Sequence, residues 1–515
     1  KNKNFEVAED VSKDISSREK DDEFVKDIKT KYCEQLSLYL NKFNKENFPV
    51  KFWKILILSW LNNYLQTQLY RWRIVNNVLK DKKSISFFSF PDQDVYKCAI
   101  DTINYKQLIR SDNEFNYFHF KRILKFLKNK NYDVSFIEKK YNKENILKDF
   151  DIASTVWLKD TDSWQKKIKI HFLEFIDTIS LFLSKNNSIF IDDRTFKKKD
   201  YLLINLYLKQ FPTYLLKIFN WRLENRVFKK VKIDIEKRKI VNSNYRIKNP
   251  NNIEFIDYIN SSIIYDIPIC FLEGFDELKA SIKKIKNRPK IILSSIKHHH
   301  SEKFKFWVAN SILTNNTKFI TASHGAGDFK KFNPYFELNE IAHKRVTWAE
   351  PRSDREIQLP ANNFFNFKRQ RKYSKYLSYV DARGVFFPER LTGKRDVQEF
   401  NLKNIEKFNF LLEKKVQKNL IYLPQEIPNW GSVFKIKAIL KNNYINERGS
   451  FKKYLFRSRI VVCGYLGTAF CESLLTGPTI LLYDLNSDPN NDKFNKIFQK
   501  LVKCKIAFSN AEDAS

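Results

Sequence analysis

All ten glycines of this 515-residue chain lie after residue 273. The first half therefore contains none of the glycine-rich loops that bind phosphate between a strand and a helix. Its long segments combine apolar residues at i, i+3 and i+4 spacing with charged residues, a pattern typical of amphipathic helices. Long helices are predicted over Phe24–Phe43, Phe52–Leu79 and Leu202–Val231.

From about residue 289 the pattern changes to short apolar runs separated by Gly, Pro, Asn or Asp. Runs of four to six residues rich in Ile and Val, spaced by helix-length segments, predict the buried parallel strands of an α/β domain. The predicted strands are IILSS (291–295), FITAS (319–323), NLIYLP (419–424), RIVVCG (459–464) and PTILLYD (478–484). Ligands of such sheets bind at the carboxyl ends of the strands, so the residues there are the first site candidates.

The chain carries 93 Lys+Arg against 59 Asp+Glu, a net charge of +34. This charge favours polyanions, whether nucleic acid, anionic lipid or phosphorylated substrates, without choosing among them. The abundance of Phe, Tyr and Trp excludes a disordered protein. The six cysteines form no C-x-x-C pair, so we expect no disulfide framework, no zinc site and a cytoplasmic location. The apolar run Phe52–Leu61 is too short to span a membrane.

The best catalytic candidate is His324, in TASHGAGD directly after a predicted strand. A histidine at a strand end suits a general base, and Gly325 and Gly327 would let backbone N–H groups approach a phosphate or an acceptor. The alternative is a histidine that only closes a tight turn. The three consecutive histidines at 298–300 cannot all face one metal ion from a regular element, so a polar loop is predicted there.

A second candidate site lies in CGYLGTAFCESLLTG, where a predicted strand ends at Gly464. Gly467 and Thr468 form a turn of small residues that opens a helix, with Thr468 predicted as its N-cap and backbone donors beside it available to a phosphate. Glu472, one helical turn further on, would accept hydrogen bonds from ribose hydroxyls, as acidic residues do in dinucleotide folds. The alternative for Glu472 is a carboxylate on the helix surface.

Three further residues are weaker candidates. Gln425 follows a predicted strand in YLPQE and would touch a base or a pyrophosphate, although a plain exit from the strand explains the pattern equally well. Asp484 lies at the carboxyl end of the last predicted strand, and Glu273, in PICFLEGF, is a candidate base for an acceptor or part of a segment between domains. The D-x-D match at 160–162 lies in a predicted helical region, so no metal site is expected there.

At these residues the chain resembles an uncharacterised family of transferases from bacterial surface-polysaccharide loci. The blocks that carry the resemblance are Phe52–Tyr64, Pro268–Phe275, His324–Gly327 and Ser458–Asp484. That family is similar to the two-domain GT-B glycosyltransferases, which include Kdo- and sialic-acid-type transferases. Its C-terminal block is similar to that of CDP-glycerol-type polyol-phosphate transferases, in which a His-Gly turn supplies the base. The chain departs from many GT-B relatives by carrying Leu423-Pro424 in place of His-Pro.

The resemblance implies a GT-B-like α/β fold in which two Rossmann-like domains face a cleft, with a large helical N-terminal elaboration. The expected bounds are 1–250 for the mostly helical elaboration, 251–350 for the acceptor domain, 351–371 for a linker and 372–515 for the nucleotide-binding domain. We expect this last domain to be cut short at its C-terminal end.

For function, the resemblance implies a glycosyltransferase that moves a sugar from a nucleotide-activated donor to a glycan, lipid-linked or protein acceptor in surface-polysaccharide biosynthesis. A CMP-linked nonulosonate or Kdo is one option for the donor. His324, or Glu273, would be the base, and the nucleotide would lie near Gly464, Gly467, Thr468 and Glu472. We expect inversion at the sugar, no metal, and no cofactor besides the nucleotide-sugar.

Two alternatives remain open from the sequence. One is a polyol-phosphate transferase with a CDP-activated donor, and the other is a non-enzymatic basic protein that binds nucleic acid or a membrane surface. For the transferase, nucleic acid is not an expected partner, whereas the basic surface predicts peripheral contact with the inner face of the cytoplasmic membrane.

Overall fold

A computed structural model describes residues 11, 14–82, 84–92, 96–140, 164–184, 187–192, 198–213, 215, 218–219, 228, 231–242, 244–283, 285–332, 338–360, 376–381, 394–423, 436, 438, 440, 450–483 and 490–515. The chain divides into two compact units. Unit 1 comprises Lys1–Asp192, Lys198–Phe319 and Glu389–Leu391, and unit 2 comprises Asp193–Lys197, Ile320–Pro388 and Thr392–Ser515.

Unit 1 is mostly helical. Its elements are α1 (Ile15–Asn44), α2 (Val50–Lys82), β1 (Ser84–Ser89), α3 (Thr102–Ser111), α4 (Asn113–Lys128), β2 (Asp133–Glu138), α5 (Trp164–Leu183), β3 (Ile189–Asp192), α6 (Lys198–Tyr207), α7 (Ile235–Asn242), α8 (Glu254–Ser262), α9 (Phe275–Ile282), β4 (Ile291–Ser294), α10 (Lys297–His300), α11 (Glu302–Asn315) and the start of β5 (Lys318–Ala322).

The two longest helices of unit 1 confirm the first two helix predictions. Helix α1 begins after Asp14, whose carboxylate accepts hydrogen bonds from the N–H groups of Ser16 and Ser17, the donors that a helix start leaves unpaired. Helix α2 has 33 residues and buries most of its length, including Trp53 and Trp60. Within the described residues, no helix has the length and hydropathy needed to cross a membrane.

The third helix prediction, over Leu202–Val231, is wrong for residues 208–213. Helix α6 ends at Tyr207, and Lys209 then adopts a left-handed conformation with φ of 52°. Pro212 lies shortly afterwards; it has no N–H group, and it disfavours a helical conformation in the residue before it. The apolar periodicity continues through this stretch, but the backbone cannot continue as a helix.

Unit 1 also contains short strands that were not predicted. Strands β1 and β2 form a parallel pair, and β3 pairs in parallel with β4, with Asp192 opposite Ser294 at their carboxyl ends. Strand β4 confirms the predicted strand at 291–295. Strand β3 has only four residues, so it gives little periodicity to detect.

The three histidines do not form the predicted polar loop. They lie in α10, directly after β4, with His298 and His299 buried. The Nδ1 atom of His298 lies 3.1 Å from the Ser294 hydroxyl, and the ammonium group of Lys297 lies 3.0 Å from the Asp192 carboxylate. Because β4 is buried, the residues that follow it turn into the interior, where polar neighbours accommodate the imidazoles and the lysine.

Unit 2 has an α/β architecture. Its elements are the end of β5, α12 (Leu338–Ile341), β6 (Lys344–Thr347), β7 (Glu356–Gln358), β8 (Tyr376–Val380), α13 (Lys394–Leu411), α14 (Lys414–Gln417), β9 (Leu420–Leu423), α15 (Ser450–Leu455), β10 (Ser458–Cys463), α16 (Thr468–Thr476), β11 (Thr479–Leu482), α17 (Asp492–Lys503), β12 (Ala507–Phe508) and α18 (Ala511–Ala514).

The strands from β8 to β12 form one sheet in the order β12-β11-β10-β8-β9, and every pair is parallel. The strand order of the other five-stranded sheet is β3-β4-β5-β6-β7, in which β5–β6 and β6–β7 are parallel. All five predicted strands are therefore confirmed, as is the α/β class with parallel sheets. Strand β7 lies within the range predicted as a linker, and the predicted domain bounds stay a prediction.

Candidate active site

The turn that carries His324 follows β5 directly. The N–H of Ser323 donates to the carbonyl of Val346 on β6 at 2.9 Å, so pairing with the neighbouring strand continues one residue beyond the end of β5. His324, half-buried, comes next, and Gly325 is extended and precedes a short 3-10 helix over Ala326–Phe329. His324 therefore lies at the carboxyl end of a parallel strand, as its sequence position predicts.

Asp328 fixes the far end of this turn. Its buried carboxylate accepts hydrogen bonds from the hydroxyl of Ser323 and the guanidinium of Arg345, from the Thr347 hydroxyl at 2.9 Å and from the N–H of Trp348 at 3.2 Å. Arg345 is also buried, so the two opposite charges compensate each other inside the protein. Because Ser323 and Asp328 flank the His-Gly turn, this network holds both of its ends.

A second set of contacts holds the same loop against α17. The Asn491 side chain donates to the carbonyl of Asp328 at 2.6 Å, and its N–H donates to the carbonyl of Phe329 at 2.9 Å. The rings of Phe329 and Phe494 are stacked, with centroids 4.4 Å apart. The loop after His324 is therefore held by contacts with β6 on one side and with α17 on the other.

The glycine-containing block after β10 forms the second part of the site. The N–H of Gly464 donates to the carbonyl of Val380 at 2.9 Å, which extends the pairing of β10 with β8. Helix α16 begins at Thr468, so Gly467 and not Thr468 occupies the N-cap position, a correction of one residue to the prediction. A methyl group on Gly467 would overlap the ring of Tyr465, 2.7 Å from its Cδ2 atom, so only glycine fits between that ring and the helix.

The two motifs meet within unit 2. A methyl group placed on Gly325 would lie 3.2 Å from the Oγ1 atom of Thr468. The His-Gly turn therefore lies against the first residue of α16, although 143 positions separate the two in the sequence. The N–H groups in the first turn of a helix have no partner within the helix and carry a partial positive charge. The structure thus places the turn that carries the candidate base next to a candidate phosphate-binding group.

Glu472 lies one turn into α16 and is buried, contrary to the alternative of an exposed carboxylate. Burial raises the pKa of Glu472, and the charge of Lys452 partly offsets this rise. Burial also raises the pKa of the neighbouring Cys471 thiol to about 12, so this cysteine stays protonated and is no nucleophile at neutral pH. Whether Glu472 contacts a ribose stays a prediction.

Glu273 lies in unit 1, at the start of the segment that leads into α9. Both of its carboxylate oxygens accept hydrogen bonds from the buried guanidinium of Arg238, at 2.7 and 2.6 Å, and one also accepts from the N–H of Asp234. A carboxylate whose two oxygens already accept hydrogen bonds from a guanidinium has fewer lone pairs left for a substrate proton. This geometry favours a structural role for Glu273, in which it compensates the charge of the buried Arg238, and its role as a base stays a prediction.

Gln425, Asp484 and the D-x-D match at 160–162 lie outside the described residues. Sequence patterns did not identify Asp381, which follows β8 at the carboxyl end of a central strand and accepts a hydrogen bond from the Tyr422 hydroxyl. They also missed Arg345 and its pairing with Asp328. The position of β8 in the sheet and the pairing of residues distant in sequence belong to the tertiary structure. No local sequence pattern predicts them.

Within the described ranges, no group of three or more His, Cys, Asp or Glu residues could hold a metal ion.

The family model described as LIC12162 family transferase matches the chain over residues 1–515. No curated protein matches the chain.

Proposed function

The chain belongs to the LIC12162 family of transferases, and from this premise we propose that it transfers a sugar from a nucleotide-activated donor to a hydroxyl group of a glycan, lipid-linked or protein acceptor. The observation that carries the proposal is the meeting of the His324–Gly325 turn with Thr468 at the start of α16. A sugar transfer needs a base for the acceptor hydroxyl and positive charge for the departing phosphate. The turn with His324 would supply the base, and the start of α16 would supply the positive charge.

In the proposed reaction, the imidazole of His324 takes the proton from the acceptor hydroxyl. The acceptor oxygen then attacks the anomeric carbon of the sugar from the face opposite the nucleotide. The bond between that carbon and the phosphate oxygen breaks, and the electron pair leaves with the nucleotide. The first-turn N–H groups of α16 stabilise the negative charge on the departing phosphate.

The surroundings of the turn support this assignment. A base must stay within hydrogen-bond reach of the proton it removes, so its backbone must not drift between turnovers. The carboxylate of Asp328 and the side chain of Asn491 hold the loop that follows His324. We also propose that Glu472 contacts the ribose and that the two five-stranded sheets belong to Rossmann-like domains of a GT-B fold. Parallel strands alternate with helices along the chain in the sheet of β8 to β12, which supports this assignment.

The test is a transfer assay with CMP-, UDP-, GDP- and dTDP-linked sugars and a glycolipid extract as acceptor, read by nucleotide release and by the mass of the product. His324→Gln should lower kcat by roughly 100-fold or more, the usual contribution of a general base. His343→Gln is the matched control, because His343 is another half-buried histidine of unit 2, and it should retain activity.

The product mass also separates the two transferase reactions. A product that gains a sugar without phosphate supports the proposal. A product that gains a phosphate-bearing unit replaces it with transfer of a polyol phosphate by the same histidine. Full activity of His324→Gln would contradict both.

A further inference from the structure

Helix α5 exposes its apolar face. Its exposed apolar side chains recur at intervals of four, three, four and three residues, so they form one continuous stripe: Ile168, Phe172, Phe175, Ile179 and Phe182. The three phenylalanines are 61%, 63% and 70% exposed, where most phenylalanines of a water-soluble protein are buried. A contiguous exposed apolar stripe of this kind marks a site of interaction with another molecule or with a membrane.

The opposite face of α5 is buried at the positions that the structure describes. Asp177 and Ser180 on the helix, and Ser184 just after it, are buried. Helix α5 therefore contacts the rest of unit 1 through this face and leaves the stripe of apolar residues exposed.

Helix α6 continues this surface. It exposes Leu202, Leu203, Leu206 and Tyr207, and Phe211 follows in the next loop. The loops that end the two helices are joined: the Asn187 side chain donates to the carbonyl of Phe211 at 2.8 Å, and the Gln210 side chain donates to the carbonyl of Ile189 at 2.6 Å. The carboxyl ends of α5 and α6 therefore lie next to each other, and we call the exposed apolar residues of these two helices the apolar edge.

Lysines accompany the apolar edge. Lys199 at the start of α6 and Lys209 just beyond its end are exposed. Apolar and aromatic residues beside lysines are the composition of helices that lie in the interface of a bilayer with anionic lipids. A second copy of the chain would instead bring the same lysines and another charge of +34 towards them.

From this combination we propose that the apolar edge docks on the surface of a bilayer that contains anionic lipids. The phenylalanines of α5 enter the boundary between headgroups and acyl chains, and the lysines contact the lipid phosphates. The inference does not depend on the reaction proposed above, because it concerns other residues in the other unit.

The test is flotation of the full chain with vesicles of phosphatidylcholine alone or of equal parts phosphatidylcholine and phosphatidylglycerol. The chain should float with the anionic vesicles and much less with the neutral ones, and high salt should weaken the association. The variant Phe172→Ser/Phe175→Ser/Phe182→Ser should bind at least about tenfold more weakly. Phe410→Ser is the matched control, because Phe410 is 81% exposed on α13 of unit 2, and it should bind as the unchanged chain does.

Circular dichroism and melting temperature establish that the triple variant is folded. Equal vesicle binding by the folded triple variant, or no vesicle binding by the unchanged chain, overturns the proposal. Dimers in light scattering that the triple variant abolishes, without vesicle binding by either chain, identify a second copy as the partner and also overturn it.

Discussion

Gly325 lies against the hydroxyl of Thr468, with room for a hydrogen atom but little for a methyl group. Gly325→Ala should push α16 and the His-Gly turn apart by a few tenths of an ångström at a cost of about 1 kcal/mol of stability. The backbone of Gly325 is extended, so alanine brings no strain of its own. We expect weaker nucleotide binding with a small fall in melting temperature, measured by calorimetry on the purified protein.

The double variant Gly325→Ala/Thr468→Ser is the control for this contact. Serine keeps the hydroxyl but lets it rotate away from the new methyl group, because serine lacks the branched Cβ atom of threonine. It should recover part of the lost affinity. Equal affinity of Gly325→Ala and the unchanged chain would show that the contact does not bear on binding.

Asp328→Asn should destabilise the protein by roughly 3–5 kcal/mol, because it removes the charge that compensates the buried guanidinium of Arg345. Glu356 also lies 3.5 Å from Arg345 and would compensate only part of that charge. Denaturant unfolding measures the change. The exposed Asp354→Asn in the same unit should change stability by less than about 0.5 kcal/mol. A loss no larger than this in Asp328→Asn would refute the compensating role.

Glu273→Gln separates a catalytic base from a residue that only compensates the charge of Arg238. Loss of the negative charge beside the buried Arg238 should cost roughly 3–5 kcal/mol of stability, whereas kcat per folded molecule should stay nearly unchanged. The exposed Glu277→Gln is its control and should alter neither property. A fall in kcat of about 100-fold in folded Glu273→Gln would instead support the role of a base.

The buried Glu472 predicts a pH dependence of stability. Burial raises its pKa in the folded protein, so the folded state binds this proton more tightly than the unfolded state does. The free energy of unfolding should therefore decrease as pH rises from the unfolded pKa through the raised folded pKa, and stay lower above it. Glu472→Gln should remove this decrease and be the more stable protein at neutral pH.

The variant Lys452→Gln provides a second test of the pH dependence that Glu472 causes. The Lys452 charge lowers the pKa of Glu472, so its removal should move the decrease in stability to higher pH. Unfolding curves at a series of pH values measure both variants. The same pH dependence in Glu472→Gln as in the unchanged chain would assign the effect to other groups.

Local sequence patterns were sufficient where secondary structure follows from local chemistry. The predicted strands around 291–295 and 459–464 are rich in Ile and Val and appear as β4 and β10. Strand β8 was missed because its sequence, YLSYV, interrupts the apolar run with a serine. That serine is buried and its hydroxyl lies 2.6 Å from the hydroxyl of Ser458, a partner 80 positions away that no local pattern reveals.

The sequence predicted the individual motifs of the candidate site but not the contact between them. The positions of His324 and Thr468 at strand and helix ends follow from the sequence, since glycine and threonine mark such ends. The contact between Gly325 and Thr468 depends on how β5 and β10 are placed in unit 2. The pairing of Asp328 with Arg345 also depends on the tertiary structure, because these two buried charges become neighbours only in the folded protein.

The most direct test of the account is a thermal-shift measurement of the full chain with CMP, CDP, UDP, GDP and dTDP, repeated on Gly325→Ala. A nucleotide at about 100 times its Kd should stabilise the protein by roughly 2.7 kcal/mol, which is readily seen as a rise in melting temperature. The account predicts that at least one of these nucleotides stabilises the chain and does so less in Gly325→Ala. No stabilisation by any of them, or the same shift in the variant, would contradict a donor site at the His-Gly turn and α16.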